Sequence, residues 1–226
     1  RSAVIENYYN KAAAKNSISS LNTAFAREGA YINIPKNKEV EKPIEIINFS
    51  TGNESALMVQ PRNLIVVGEN AHVQIIERHQ SLTANSVFTN SVTEIFAEKR
   101  AYLDYYKIQN DKENASLIDN TSIHQEQNSN CKVHSFSLGG KLTRNNLNFI
   151  QNGEHCESTL KGVTILKDKQ HVDHNTLVKH NAPNCESHQD YKGLYADSST
   201  GVFNGKVIVE KQAQKKRQSQ KKQRNK

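Results

Sequence analysis

Tryptophan is absent from the 226 residues, methionine occurs once (Met58), and there are only four prolines and three cysteines. No apolar run approaches the roughly 20 residues that cross a bilayer. The N-terminus carries no signal-peptide hydrophobic segment. These absences predict a soluble, cytoplasmic protein with no membrane partner. Hydrophobic residues make up 35% of the chain and mean hydropathy is −0.74, a thin supply for one compact globule of this length. A repetitive solenoid manages with less, because each coil buries only a narrow inward stripe. Cys131, Cys156 and Cys185 are odd in number and too widely spaced for a CxxC zinc or redox motif. Each reads as a small residue packed inside a strand. No GxSxG, P-loop, GxGxxG or HExxH motif is present, which disfavours an enzyme.

The net charge of +7 is unevenly distributed. Lys211, Lys215, Lys216, Arg217, Lys221, Lys222, Arg224 and Lys226 supply eight positive charges without an acid, so the remainder carries 7 − 8 = −1. A nucleic-acid role would rest on that tail alone, and the tail has no aromatic to stack on bases. It reads as a poorly ordered end, with no nucleic-acid partner expected.

Three zones follow. Residues 1–29 form a short helical lead-in. It comprises Ala3 to Tyr9 running into Lys11-Ala12-Ala13-Ala14-Lys15, then a second helix from Ser19 to Arg27, capped by Ser19 or Ser20 and ended by Gly29. Residues 30–210 switch to period two, with β-branched runs at 31–34, 44–49, 63–67, 72–77, 91–97, 102–108, 116–123, 132–138, 142–150, 158–166, 171–178 and 203–209. Residues 211–226 are the basic tail.

The middle zone repeats. Small residues open strands at Ala71, Ala101, Ala115, Cys131, Cys156 and Cys185, with steps of 30, 14, 16, 25 and 29, mostly after turn residues. Cys156-Glu157-Ser158 is echoed by Cys185-Glu186-Ser187, and Leu160-Lys161-Gly162 by Tyr191-Lys192-Gly193. Repeats of this length indicate solenoids or propellers. Two or three strands per coil favour the former. The predicted fold is all-β: a single right-handed parallel β-helix from about Ala30 to Glu210, with helix only near the N-terminus. Asn145, Asn146 and Asn148 suit its stacked corners. Cys156 and Cys185 are expected at equivalent, largely buried positions on neighbouring coils.

Seven of the nine histidines lie late: His124, His134, His155, His171, His174, His180 and His188. With Cys156 and Cys185 nearby they suggest a metal site. His171 and His174, three apart on a strand, fall on opposite faces and cannot form a facial pair. Ligands would have to come from neighbouring coils. Glu157 and Glu186 read as an exposed polar ladder rather than an acid/base pair.

A family resemblance carries further. Glu6-Asn7-Tyr8-Tyr9, Leu21 to Ala26, Ile34-Pro35-Lys36-Asn37, Glu41 to Ile44 and Pro61 to Gly68 resemble the SufB/SufD family of iron–sulfur cluster assembly scaffold subunits. So do Thr143 to Asn148, Lys169 to His174 and Cys185 to Gly205, which look closer to its SufD branch. The resemblance runs from Glu6 to Gln214. It implies a non-catalytic β-helix core that pairs with SufB and a SufC-like ATPase in cluster formation and transfer. The family's late Cys-Ser-His-Gly segment and its SufC-docking helical end have no counterpart here. No catalytic, cofactor-binding or metal-ligating residue is therefore carried over, and no cofactor is expected. Without that end, self-association or weak SufB binding is expected, with no SufC docking. The competing readings are a metal-binding β-solenoid and a β-helix enzyme acting on a carbohydrate.

Overall fold

The computed structural model describes residues 3–12, 16–51 and 55–214. Two short helices come first, α1 (Ala3–Tyr8) and α2 (Ser17–Phe25). Strands follow as β1 (Tyr31–Ile34), β2 (Ile44–Ser50), β3 (Leu57–Val59), β4 (Arg62–Val67) and β5 (His72–Ser81). Then come β6 (Val87–Ala97), β7 (Tyr102–Gln109), β8 (Ala115–Gln125), β9 (Asn130–Ser137) and β10 (Leu142–Gln151). The last four are β11 (Glu157–Leu166), β12 (His171–His180), β13 (Glu186–Tyr195) and β14 (Thr200–Val209). From Lys215 onward the basic tail lies outside the described residues, as do Ala13, Ala14 and Lys15 of the expected first helix.

The strands build a β-solenoid of about six coils. One sheet stacks β1, β4, β6, β8, β10, β12 and β14, with β3 also on β6; the other stacks β2, β5, β7, β9, β11 and β13. All pairings are parallel, and each coil contributes one strand to each sheet except where β3 and β4 both lie on β6. Ile65, Ile95, Ile123, Phe149 and Val178 stack through the first sheet; Ile75, Tyr105, Val133 and Leu160 stack through the second. The coil step is thus 26 to 30 residues. These ladders explain how 35% hydrophobic residues suffice: in β5, β7 and β9 every second residue is buried and its neighbour is not.

One corner repeats a backbone device. Asn37, Asn70, Arg100, Asn128, His155 and Asn184 all take φ between 56° and 61°. Asparagine tolerates this left-handed conformation, whereas Arg100 and His155 adopt it at a cost of about 1–2 kcal/mol. Coil-to-coil bonds hold them there: Asn70 N donates to Lys99 O and Arg100 N to Gln127 O. After all of these turns but the first, where exposed Lys38 follows Asn37, the next residue is small: Ala71, Ala101, Ser129, Cys156 and Cys185.

Several expectations need correction. The true stack at this corner is Ala71, Ala101, Ser129, Cys156 and Cys185, marked by Tyr102 N to Ala71 O, Asn130 N to Ala101 O, Glu157 N to Ser129 O and Glu186 N to Cys156 O. Ala115 belongs to the other sheet, opposite Val87, and Cys131 sits two residues along, between Leu103 and Ser158. Counting both sheets together produced the irregular 14- and 16-residue steps. Asn145, Asn146 and Asn148 lie within β10, not at a corner; Asn146 bonds Asn120 across the coils at 2.9 Å. Helix α2 is capped by Asn16, whose Oδ1 accepts Ser19 N at 2.8 Å, instead of by Ser19 or Ser20. The helix ends at Phe25, and Gly29 serves a close approach, since a Cβ there would lie 1.8 Å from Arg62 O. Strand β3 has no signal in the sequence, and the strand expected to open at Cys185 is β13. In β13, Glu-Ser-His-Gln-Asp-Tyr-Lys lacks apolar alternation, and its pairing with β11 supplies the order instead.

Candidate functional site

The solenoid interior is not uniformly apolar. Alternation along β5 and β7 turns Glu77, His79, Tyr105 and Lys107 inward, and β8 turns in Asp119 and Thr121. All are buried. Lys107 Nζ stands 2.6 Å from Asp119 Oδ2 and 3.6 Å from Glu77 Oε2, and it donates to Thr121 Oγ1. Glu77 also accepts from the Tyr105 hydroxyl and from Asn63 Nδ2 at 2.8 Å, and His79 Nε2 lies 3.3 Å from its Oε1. Unpaired charges in such a setting would cost several kcal/mol each.

The electrostatics are mutually set. Burial would raise the Glu77 carboxyl, but the Lys107 charge and hydrogen bonds from His79 and Tyr105 outweigh it and hold it well below the usual carboxylate range. Burial would lower His79, but the bond and charge of Glu77 outweigh it and raise the imidazole. Lys107 is raised too, because Asp119 and Glu77 overcome its desolvation. Two carboxylates therefore face one ammonium and one imidazole that favours its cationic form. A cavity of about 490 Å³ at the first coil is lined by Gly29, Ile46, Asn48, Phe49, Pro61 and Asn63. Its Asn48 and Asn63 are the residues that reach Glu77.

A second polar cluster fastens the N-terminal segment to the outside of the first sheet. Glu94, buried on β6, accepts from Asn10 N at 2.9 Å and Ala12 N at 2.8 Å and pairs with Arg62 Nη2 at 2.5 Å. Arg62 also donates to Asn22 Oδ1 and Thr23 Oγ1 and lies 4.8 Å from the Tyr9 ring centroid. Asn22 Nδ2 reaches Pro61 O and Asn90 O. Tyr8 donates to Glu98 at 2.7 Å; burial and that carboxylate push its hydroxyl up to about 12.

The late histidines do not converge. His124 packs on Phe96, and His134 stacks on Tyr106 beside Asp104. His171 faces outward to Thr200, and His174 faces inward between Asn145 and Thr164, so the two do fall on opposite faces. Burial pushes His174 down to about 4 against the raising effect of Asp173. His180 touches Ser187; His155 and His188 lie beside Glu154 and Glu186. Among the described residues no group of three or more His, Cys, Asp or Glu side chains is placed to hold a metal ion. Glu157 and Glu186 are exposed register partners on adjacent coils, as a polar ladder requires.

At the last coil, Leu194, Tyr195, Phe203, Val207 and Val209 are exposed, and β13 and β14 each pair on one side only. Among the described residues no helix is long and apolar enough to cross a membrane.

Residues 49–224 match the SUF system FeS cluster assembly, SufBD core domain, and residues 1–46 match the SufBD protein N-terminal region. The chain belongs to the SufBD family. It is 31% identical over 219 residues to an iron–sulfur cluster assembly SufBD family protein of Synechocystis, covering 93% of this chain and 48% of that protein. Identity to the iron–sulfur cluster assembly protein SufD of Escherichia coli is 24% over 195 residues, 85% of this chain and 46% of the relative. For the SufD of Plasmodium falciparum it is 27% over 171 residues, 75% and 11%. The chain therefore spans about half, or less, of the length of the curated relatives it matches. The family resemblance read from the sequence holds, as does the β-solenoid fold.

The interior ion network and the Arg62–Glu94 cluster were both missed from sequence. One signal was available: Glu77, His79 and Lys107 stand in phase with buried Ile75 and Tyr105, so period two places them inside.

Proposed function

We propose that this SufBD-family chain is a non-catalytic scaffold subunit of iron–sulfur cluster assembly, acting with a SufB-like paralogue and a SufC-like ATPase in cluster formation and transfer. The observation that carries the reading is the SufBD core match over residues 49–224, within which the described strands stack as a parallel β-solenoid. One feature supports it. The buried carboxylates of Glu77 and Asp119 are engaged by Lys107, Tyr105 and Asn63, which suits a rigid frame better than a reacting centre. The tagged chain, co-expressed with the SufB-like and SufC-like proteins of the same cell, tests this. Co-elution with the SufB-like paralogue, and of the ATPase through it, is expected. Elution of the chain free of both, or glycan cleavage by the purified chain, would end the reading.

A further inference from the structure

Cys156 and Cys185 occupy the same corner position one coil apart. Glu186 N donates to Cys156 O at 2.9 Å, and the residues that follow, Glu157 and Glu186, are register partners. Neighbouring strands lie about 4.8 Å apart, inside the Cα window of roughly 4.4–6.8 Å that a disulfide requires. The two thiols also converge on one acceptor. Cys156 Sγ is 3.1 Å from Gly153 O and Cys185 Sγ is 3.2 Å from the same oxygen, so the sulfurs are at most 6.3 Å apart, the sum of those contacts. That oxygen is fixed: Gly153 packs so tightly on the preceding coil that a Cβ would lie 2.0 Å from Gln127 N. Cys131 is excluded from the arrangement, because its register partners are Leu103 and Ser158.

We propose that Cys156 and Cys185 are a redox-switchable pair that closes to a disulfide and staples two consecutive coils. The oxidant is a low-molecular-weight disulfide of the glutathione class. Cys185, only half-buried, is the point of entry, and Cys156, fully buried, is the resolving thiol. The Cys185 thiolate attacks one sulfur of the oxidant, forming a mixed disulfide and expelling one thiolate. The Cys156 thiolate then attacks the Cys185 sulfur, closing the bridge and expelling the second. Two protein thiols are oxidised, one external disulfide is reduced to two thiols, and two protons leave the cysteines. Burial pushes the Cys156 thiol up to about 11, so ring closure speeds up as pH rises, since only the thiolate attacks. The bridge replaces the two sulfur contacts to Gly153 O at positions one coil apart. This inference stands on the corner geometry alone and is independent of the partners proposed above.

The test uses the purified chain incubated with oxidised glutathione at several pH values, blocked with a maleimide and digested without reduction. Mass spectrometry should find a peptide linking Cys156 to Cys185, and the thiol titre of the denatured protein should fall from three to one. Closure should be faster at pH 9 than at pH 7, and the thermal midpoint of the oxidised form should rise. Cys131→Ser should give the same linked peptide, and Cys185→Ser should give none. A bridge to Cys131, a persistent glutathione adduct on Cys185 with Cys156 free, or an unchanged thiol titre would each overturn the proposal.

Discussion

Replacing Lys107 with Met removes the one buried ammonium that separates Glu77 from Asp119. At 2.6 and 3.6 Å, its gross attraction to the two carboxylates is about 6 and 5 kcal/mol at an effective dielectric of about 20. Desolvation of all three groups offsets much of this. Deleting one partner of a buried pair nevertheless costs about 3–5 kcal/mol, because the remaining charge is stranded. Urea unfolding at pH 7 should show a loss of that size. The pH dependence should also reverse. In the parent, Glu77 is held below its unfolded value, so its contribution is present above about pH 4.3 and is lost on acidification. In Lys107→Met the stranded carboxylates favour protonation. Their folded values then lie above the unfolded ones, so the variant is relatively better off near pH 4 and worsens as pH rises. Asp119→Asn added to Lys107→Met should recover part of the loss. A cost below about 1 kcal/mol, or an unchanged pH slope, would refute the claim that this network is a tightly balanced buried cluster.

His79 and His174 should pull stability in opposite directions with pH. His79 is raised when folded, so its contribution is complete below about pH 6.5 and is lost as pH rises through the folded value; His79→Gln should flatten that decline in unfolding titrations. His174 is lowered to about 4, so the unfolded chain binds the extra proton and stability falls between about pH 6.5 and 4; nitrogen-15 NMR should show this imidazole neutral at pH 6. Glu94→Ala should strand Arg62 and free the N-terminal segment, costing about 3 kcal/mol in urea unfolding and exposing residues 16–26 to limited proteolysis. Gly153→Ala should cost more than about 1 kcal/mol, because its Cβ meets backbone that cannot retreat. Anaerobic iron and sulfide reconstitution of the isolated chain should give no stoichiometric cluster in its visible spectrum, since Cys131 and Cys156 are buried and, among the described residues, no group of three His, Cys, Asp or Glu is placed to hold a metal ion.

The solenoid was legible because its information is local and periodic. Alternating apolar residues, αL-tolerant Asn before small residues, and the Cys-Glu-Ser echo each report a coil. The echo placed Cys156 and Cys185 at equivalent positions, because register in a parallel stack carries equivalent residues to equivalent positions; the expected burial holds for Cys156 but not for Cys185, which is half-buried. Assigning Ala115 and Cys131 to the same stack failed, because composition does not say which sheet a strand joins. The internal ion network stayed hidden for a related reason. Lys107 and Asp119 are twelve residues apart on different sheets, and only the closure of a coil brings them to 2.6 Å. Likewise Arg62, Glu94 and Asn22 are joined by coil stacking and by a helix folded back across it.

The central claim is that this core works as one half of a paired scaffold. Sedimentation of the chain titrated with its SufB-like paralogue measures that pairing. A saturable complex of fixed ratio is the predicted result. Unmixed species at every ratio would contradict the account.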